Sequence, residues 1–582
     1  MTLTIAVSLT AVLQACDPEE PPPQPYSVTI NNAEEFKSIA DKLGANSAYG
    51  TFILNSDINL GSDFTTLGGS VDSSFRGVLD GGGHTVTYTL KPEPAPSRLS
   101  ADGEEEEYLP AETRYWGLFG YLYNATVKNL EIKIEIEATT DSEVTYTGGL
   151  AAFAYGSVKL ENISVSGDIT LYGGNLAPYN AAGETVSGYK LTSYVGGMLG
   201  YAEGDLLMQG VSTDVGITLP SPNIAYALER NWSDDVYAGG VAGLIRTENN
   251  TSEGKSFVAV SGVTSEGDLE VYGESVKAGG IFGLAQRTNI TSSSFSGSVD
   301  AHANTKLYAG GVAGALDIGK ISESKVGTKD LAEDVEKELS SEEGEHAPST
   351  SIAANIALSD YAKYFLGSVG GIVGLLSNAS VEGSSAYVAL EIGSGLNNYS
   401  GGIAGQVYFS DVTNCAAGGS HKNSKYTNFT RPVGNTETNE DFNAHLEYAA
   451  SGGIAGRIYG RSKFDKVVSA MTGVYQGIAG EIVDGVETVI LENGESMADR
   501  FPGYTEEDDY TKIEDTEDGI KYSVTHKPTE GEAYYSYSVV EPDDFLKENY
   551  YDYYAVSGRE HPGTKPEDIL NEIKALFNQT IE

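Results

Sequence analysis

Through the middle of the chain, apolar or small residues alternate with polar ones in short runs, the period of two expected of strands with one buried face. The stretch 157–165, with Val158, Leu160, Ile163 and Val165 among polar residues, shares its rhythm with the stretch 378–386. A glycine phrase punctuates these runs, in its cleanest form Gly401-Gly402-Ile403-Ala404-Gly405. Close copies stand at 196–200, 239–243, 279–283, 310–314, 370–374 and 452–456, and variants at 116–120, 148–152 and 476–480. Corresponding glycines (117, 149, 197, 240, 280, 311, 371, 402, 453 and 477) lie 24 to 60 residues apart. The shortest intervals fit one coil of a solenoid, and longer ones fit a coil plus a loop. The pattern predicts an all-β chain, a right-handed parallel β-helix over residues 30–484.

Stacked coils place like positions in ladders about 4.8 Å apart. Paired glycines at such a position suit either a corner with positive φ or a close approach of neighbouring backbones. A phosphate cradle is a poor alternative, because no Lys-Ser or Lys-Thr follows the phrase and a nucleotide site needs one such loop, not ten.

The flanks read differently. Residues 32–44 predict a capping helix, with Asn32 at its N-cap, Glu35 at the capping-box position and Phe36, Ile39, Ala40 and Leu43 on one face. Strands are expected at 51–54 and 57–60, then a turn at 80–84. Asp80 and His84 there could form a catalytic or metal pair, but the three glycines between them favour a tight turn whose backbone Asp80 bonds. Insertions are expected at 91–114, 171–193, 222–236, 325–366 (with a helix over 330–339) and 419–449, all leaving the stack. Residues 485–582 are acidic and tyrosine-rich and end in an amphipathic helix. They predict a C-terminal capping region or a small separate domain.

Composition narrows the function. The 582 residues carry a formal charge of −47, which argues against a nucleic-acid partner and against attraction to anionic lipid. Cys415 sits inside a repeat and reads as a packed thiol. The histidines (84, 302, 346, 421, 445, 526 and 561) lack zinc-ligand spacing, so no metal site is expected there. No cofactor is expected, although the acidic stretch 508–518 leaves structural calcium conceivable. Asn-x-Ser/Thr triplets, at Asn124, Asn231, Asn378 and Asn398 among others, follow from Asn and Thr richness. Tyr179, Tyr189, Tyr226 and Trp232, in the inserted loops, are candidate ligand-contact aromatics.

At the N-terminus, an apolar run over 3–13 precedes Leu13-Gln14-Ala15-Cys16. This resembles the lipobox of bacterial lipoproteins, which implies a signal peptide over 1–15 and lipidation of Cys16. The usual basic residues are missing, since no Lys or Arg precedes Lys37. Residues 16–29 form an acidic, proline-rich tether, and its acidic start resembles the signal of lipoproteins displayed on some Gram-negative outer membranes. The ten glycine phrases resemble the GLUG motif of secreted and surface proteins. That resemblance implies a β-helical, adhesin-like domain over about residues 30–480 and carries no catalytic residue across. No His-Glu-x-x-His occurs in the chain.

The expectation is therefore a non-catalytic, monomeric, lipid-anchored outer-membrane protein whose loops bind a glycan or protein ligand. The alternative is a carbohydrate-active β-helix enzyme, which needs two carboxylates roughly 5 to 10 Å apart.

Overall fold

The computed structural model describes residues 24–92, 111–140, 142–173, 191–220, 235–247, 257–340, 346–356, 365–393, 397–423, 449–460 and 462–472, with short strands at 250–255 and 479–536 and a helix at 566–577. Among them, 37 strands join into one system, all in parallel pairs. One coil shows the plan: a first strand Thr192–Gly196, the glycine phrase, a second strand Leu199–Glu203 and a third strand Leu206–Leu219. Each lies in register on its counterpart in the coil before, Tyr194 on Tyr146, Tyr201 on Phe153 and Val211 on Ile163. The next coil repeats the register with Tyr237 and Leu244. The fold is a parallel β-helix. Its core is the lumen, where Val195, Met198, Met208 and Val215 are fully buried.

The glycine phrase turns its corner without positive φ. Its glycines are required by close approach instead. A Cβ on Gly200 would lie 2.6 Å from the Ala152 carbonyl and 2.7 Å from the Thr147 nitrogen. Positive φ belongs to the other two corners. Asn124, Gly156, Gly204, Arg287, Ile318, Asn378, Phe409 and Gly460 form one left-handed ladder, directly after the second strands. Asn129, Asn162, Gly210, Gly262, Ser292, Glu323, Gly383, Asn414 and Lys466 form another, within the third-strand face. A single left-handed residue bends a strand without breaking its ladder, and Asn and Gly adopt that conformation at least cost. Three of the Asn-x-Ser/Thr triplets, at Asn124, Asn162 and Asn378, thus begin on corner residues.

The N-terminal strand Tyr26–Ile30 leads into a helix, α1 (Ala33–Lys37), that is shorter than predicted. Asn32 caps it, accepting from the Glu35 nitrogen at 3.0 Å, and Glu35 reaches back to the Asn31 nitrogen. The Ser38 hydroxyl then bonds the Glu35 carbonyl at 2.7 Å, and residues 38–42 tighten into a 3₁₀ turn. Phe36 and Ile39 are buried as expected, but Ala40 is exposed, because the tighter turn rotates it off the apolar face. The predicted turn at 80–84 is present: Asp80 accepts from Gly82 N at 3.1 Å, and His84 turns away to Asp57 at 3.2 Å.

The insertions begin and end inside strands. Third strands run to Gly173 and Asn423, and first strands start at Ala111 and Asp235. Residues 325–366 do not simply leave the stack. Lys325–Val326 and Ser351–Ile356 are two pieces of one third strand, both paired to Ser385–Ile392. Between them stands α2 (Leu331–Ser340), capped by Asp330, which accepts from Ala332 N at 3.0 Å. Leu331 and Val335 of α2 pack on Tyr387, Ala416, Val468 and Ala470 of the outer wall. The C-terminal helix, α3 (Pro566–Phe577), inserts Ile573 into the same cluster and pairs Lys574 with Glu336 at 3.2 Å. Strand Tyr534–Ser536 pairs in parallel with Lys463–Thr472, while strands within 485–526 form a separate antiparallel sheet. No helix among the described residues is long and apolar enough to cross a membrane.

Candidate functional site: a tyrosine-lined cleft

Strand alternation sends every second side chain of the first strands outward. At one such position stand Tyr115, Tyr146, Tyr194 and Tyr237, with Lys277 next. Their rings stack along the axis, at 5.4 Å for Tyr115–Tyr146, 5.1 Å for Tyr146–Tyr194 and 4.8 Å for Tyr194–Tyr237, all within 16° of parallel. The Lys277 ammonium ends this run over the Tyr237 ring at 4.5 Å. Second strands supply a facing row: Tyr121, Phe153 and Tyr201 stack at 4.7 and 4.8 Å.

The two rows touch edge to face, Tyr146 with Phe153 and Tyr194 with Tyr201, both at 5.1 Å. Outward side chains of adjacent strands can meet only if the surface between them is re-entrant, so the rows line a cleft along the solenoid. Gly200 and its equivalents let the second strand press against the first-strand backbone. The glycine phrase therefore shapes this cleft as well as the corner.

Because ring faces are used in the ladder, the cleft presents ring edges and hydroxyls. Burial pushes the phenols of Tyr121, Tyr146, Tyr201, Tyr237, Tyr308, Tyr399 and Tyr408 above the ordinary tyrosine value, so they stay neutral hydrogen-bonding groups. Charges in the cleft are matched. Arg246 donates to Glu203 Oε2 at 2.9 and 2.7 Å, and Tyr201 donates to the same oxygen at 2.6 Å. Further along, Arg457 pairs with Glu481 at 3.1 Å and donates to the Tyr399 hydroxyl at 3.3 Å. Gln286 donates to Asp317 at 3.1 Å. Three of the five arginines among the described residues lie over tyrosine rings: Arg76 over Tyr123, Arg246 over Tyr201 and Arg457 over Tyr399.

Tyr179, Tyr189, Tyr226, Trp232 and Cys16 lie outside the described residues. Sequence reasoning passed over the cleft although a signal existed, since Tyr115, Tyr146, Tyr194, Tyr237, Tyr308 and Tyr399 all stand two residues before a phrase glycine. The acidic stretch 508–518 is described only over 510–515, as a strand paired antiparallel to Ile520–His526. Among the described residues, no three His, Cys, Asp or Glu side chains converge as metal ligands. Cys415 is packed, as expected, and burial pushes its thiol up to about 12. His421 meets Ser400 at 2.6 Å, and both are buried, at 6% and 1% exposure.

No protein-family description matches the chain, and no curated protein matches it. Among solved structures it is similar to a protein of Bacteroides ovatus, provisionally named an immunoglobulin A1 protease, at 15% identity and a TM-score of 0.27, over 72% of this chain and 86% of that one. At that level of likeness, the assignment of the fold rests on the strand ladders themselves.

Proposed function

We propose that the protein is a non-catalytic binding scaffold of the outer-membrane surface, anchored through a lipidated Cys16 and related to GLUG-motif proteins. Its ligand is a glycan or a protein, taken in the tyrosine cleft with the inserted loops at its margins. The observation that carries this reading is the cleft, with two aromatic rows held in register over successive coils. Its acids are each engaged by a base or an amide, Glu203 by Arg246, Glu481 by Arg457 and Asp317 by Gln286. That arrangement favours holding a ligand over general acid–base work, which needs carboxyls poised to exchange protons.

Two measurements test the reading. Incubation with a panel of glycans and surface proteins, followed by product analysis, should give binding without cleavage. Shortened or unsaturated products would establish the carbohydrate-active alternative instead. In a Gram-negative host, Cys16→Ala should move the protein from the membrane fraction to the soluble one. Unchanged membrane retention would remove the lipid anchor from the proposal.

A further inference from the structure

The cleft is not uniform along its length. At its C-terminal end, Tyr399, Gln406, Tyr408 and Arg457 converge from two adjacent coils. Gln406 is 1% exposed, and its side-chain oxygen accepts from the Tyr408 hydroxyl at 2.9 Å. Its amide nitrogen has no hydrogen-bond partner among the described residues. Exchanging the amide's two ends would only move the orphan to the other atom. A buried amide left unpaired is costly, so this group calls for an oxygen-bearing partner inside the cleft. Arg457 is neutralised by Glu481, and the surrounding phenols are neutral, so the floor offers hydrogen bonds without net charge.

We propose that this floor is the main subsite for an uncharged linear polysaccharide lying lengthwise in the cleft, its hydroxyls meeting the Gln406 amide and the Tyr399 and Tyr408 phenols, and its further sugars running toward the stacked rows between Tyr115 and Tyr237. The proposal rests on the binding reading above and names its ligand. Three features carry it. Matched charges disfavour a polyanion, the regular spacing of the stacked rows between Tyr115 and Tyr237 suits a polymer with a regular repeat, and an orphaned amide beside phenol hydroxyls suits a ligand that both donates and accepts. Ring stacking contributes little within the ladder, because ring faces there already touch one another.

The test is isothermal titration of the full chain with a soluble linear glucan, a mannan, a xylan and a polyuronate of matched length, at low and high salt. At least one neutral polymer should bind, with an affinity that salt changes by less than about twofold, since no counterions are released. Affinity should rise with oligomer length. Gln406→Leu should weaken binding about tenfold, and Tyr408→Phe, which keeps the ring and loses the hydroxyl, about threefold. Circular dichroism and thermal midpoint report whether each variant is folded, and Tyr408→Phe serves if Gln406→Leu is not. Failure of all three neutral polymers to bind would overturn the proposal, as would preference for the polyuronate. Glycan binding that both variants leave unchanged would also overturn it while leaving the binding scaffold intact, with its site on the loops. Binding to no glycan and no protein would remove the scaffold reading as well.

Discussion

Cys415 takes, one coil further on, the place that Ser384 holds. The Ser384 hydroxyl donates to the Glu382 carbonyl at 3.0 Å, and the Cys415 thiol donates to the Thr413 carbonyl at 3.1 Å. Ser293 and Ser324 occupy the same slot in earlier coils, each bonded to the carbonyl two residues back. The slot directly follows the left-handed corner residue, and its hydroxyl or thiol fills the space inside the bend. Cys415→Ser should therefore leave stability within about 1 kcal/mol, measured by chemical denaturation. The native thiol, with its pKa pushed up to about 12, should resist thiol-specific reagents until the chain unfolds.

Glycines of the two kinds should respond differently to the same change. Gly200→Ala sets a methyl against fixed backbone at 2.6 and 2.7 Å and should cost about 3 kcal/mol. Gly262 has φ +62 and open space around an added Cβ, so Gly262→Ala should cost about 1 kcal/mol, the price of the conformation alone. Equal losses in the two denaturation curves would contradict this division.

Ile318 sits in the left-handed ladder with φ 60, a conformation that β-branched residues adopt at real cost. Its ladder neighbour Asn378 shows which side chain suits the site. Ile318→Asn should stabilise the protein by about 1 kcal/mol, seen as a higher thermal midpoint.

The cleft phenols predict alkaline instability. Their folded pKa values are raised by burial, while in the unfolded chain they titrate near the ordinary ~10. Below that value both states are protonated and stability is unaffected. As pH rises past it, the unfolded state ionises first and stability falls until the folded phenols titrate too. Stability measured from pH 8 upward should decline from about pH 10, and ultraviolet titration should show a late group of tyrosines in the native protein.

Docking of α3 should be separable from the solenoid. Ile573→Asp buries an unpaired charge against Val335, Val468 and Ala470 and should release the helix. Hydrogen exchange should rise across 566–577 and 331–340, while the coils before residue 320 stay protected.

The repeat was legible because ten near-identical phrases cannot arise without a repeating structure. What each phrase does was not, since glycine permits both a left-handed turn and a close contact, and only backbone placement chooses between them. The corner ladders escaped notice because Asn, Gly, Ser, Glu, Lys and even Ile share them. The slot is set by geometry and only weakly by residue type. The helix at 331–340 was legible, as the helix expected over 330–339. Its docking was not, because the surface that receives it is built from Ala416, Gly418, Val468 and Ala470, which read as ordinary strand residues. A Cβ on Gly418 would stand 2.9 Å from Val335, so the wall is flattened where the helix lies. The cleft tyrosines were visible at a fixed offset, but aromatic residues at strand spacing look alike whether they face the lumen or the outside.

The lateral seat of α3 decides how the molecule carries load. A solenoid held at its free end peels, one strand at a time, because each coil grips only its neighbours. Here α3 is fastened both to Val468 and Ala470 of the strand Lys463–Thr472 and, 238 residues back along the sequence, to α2, through Ile573 and the Lys574–Glu336 contact. Tension on the C-terminus meets two helices sliding past each other before it reaches the final strands. The rod is guarded against unzipping from its far end.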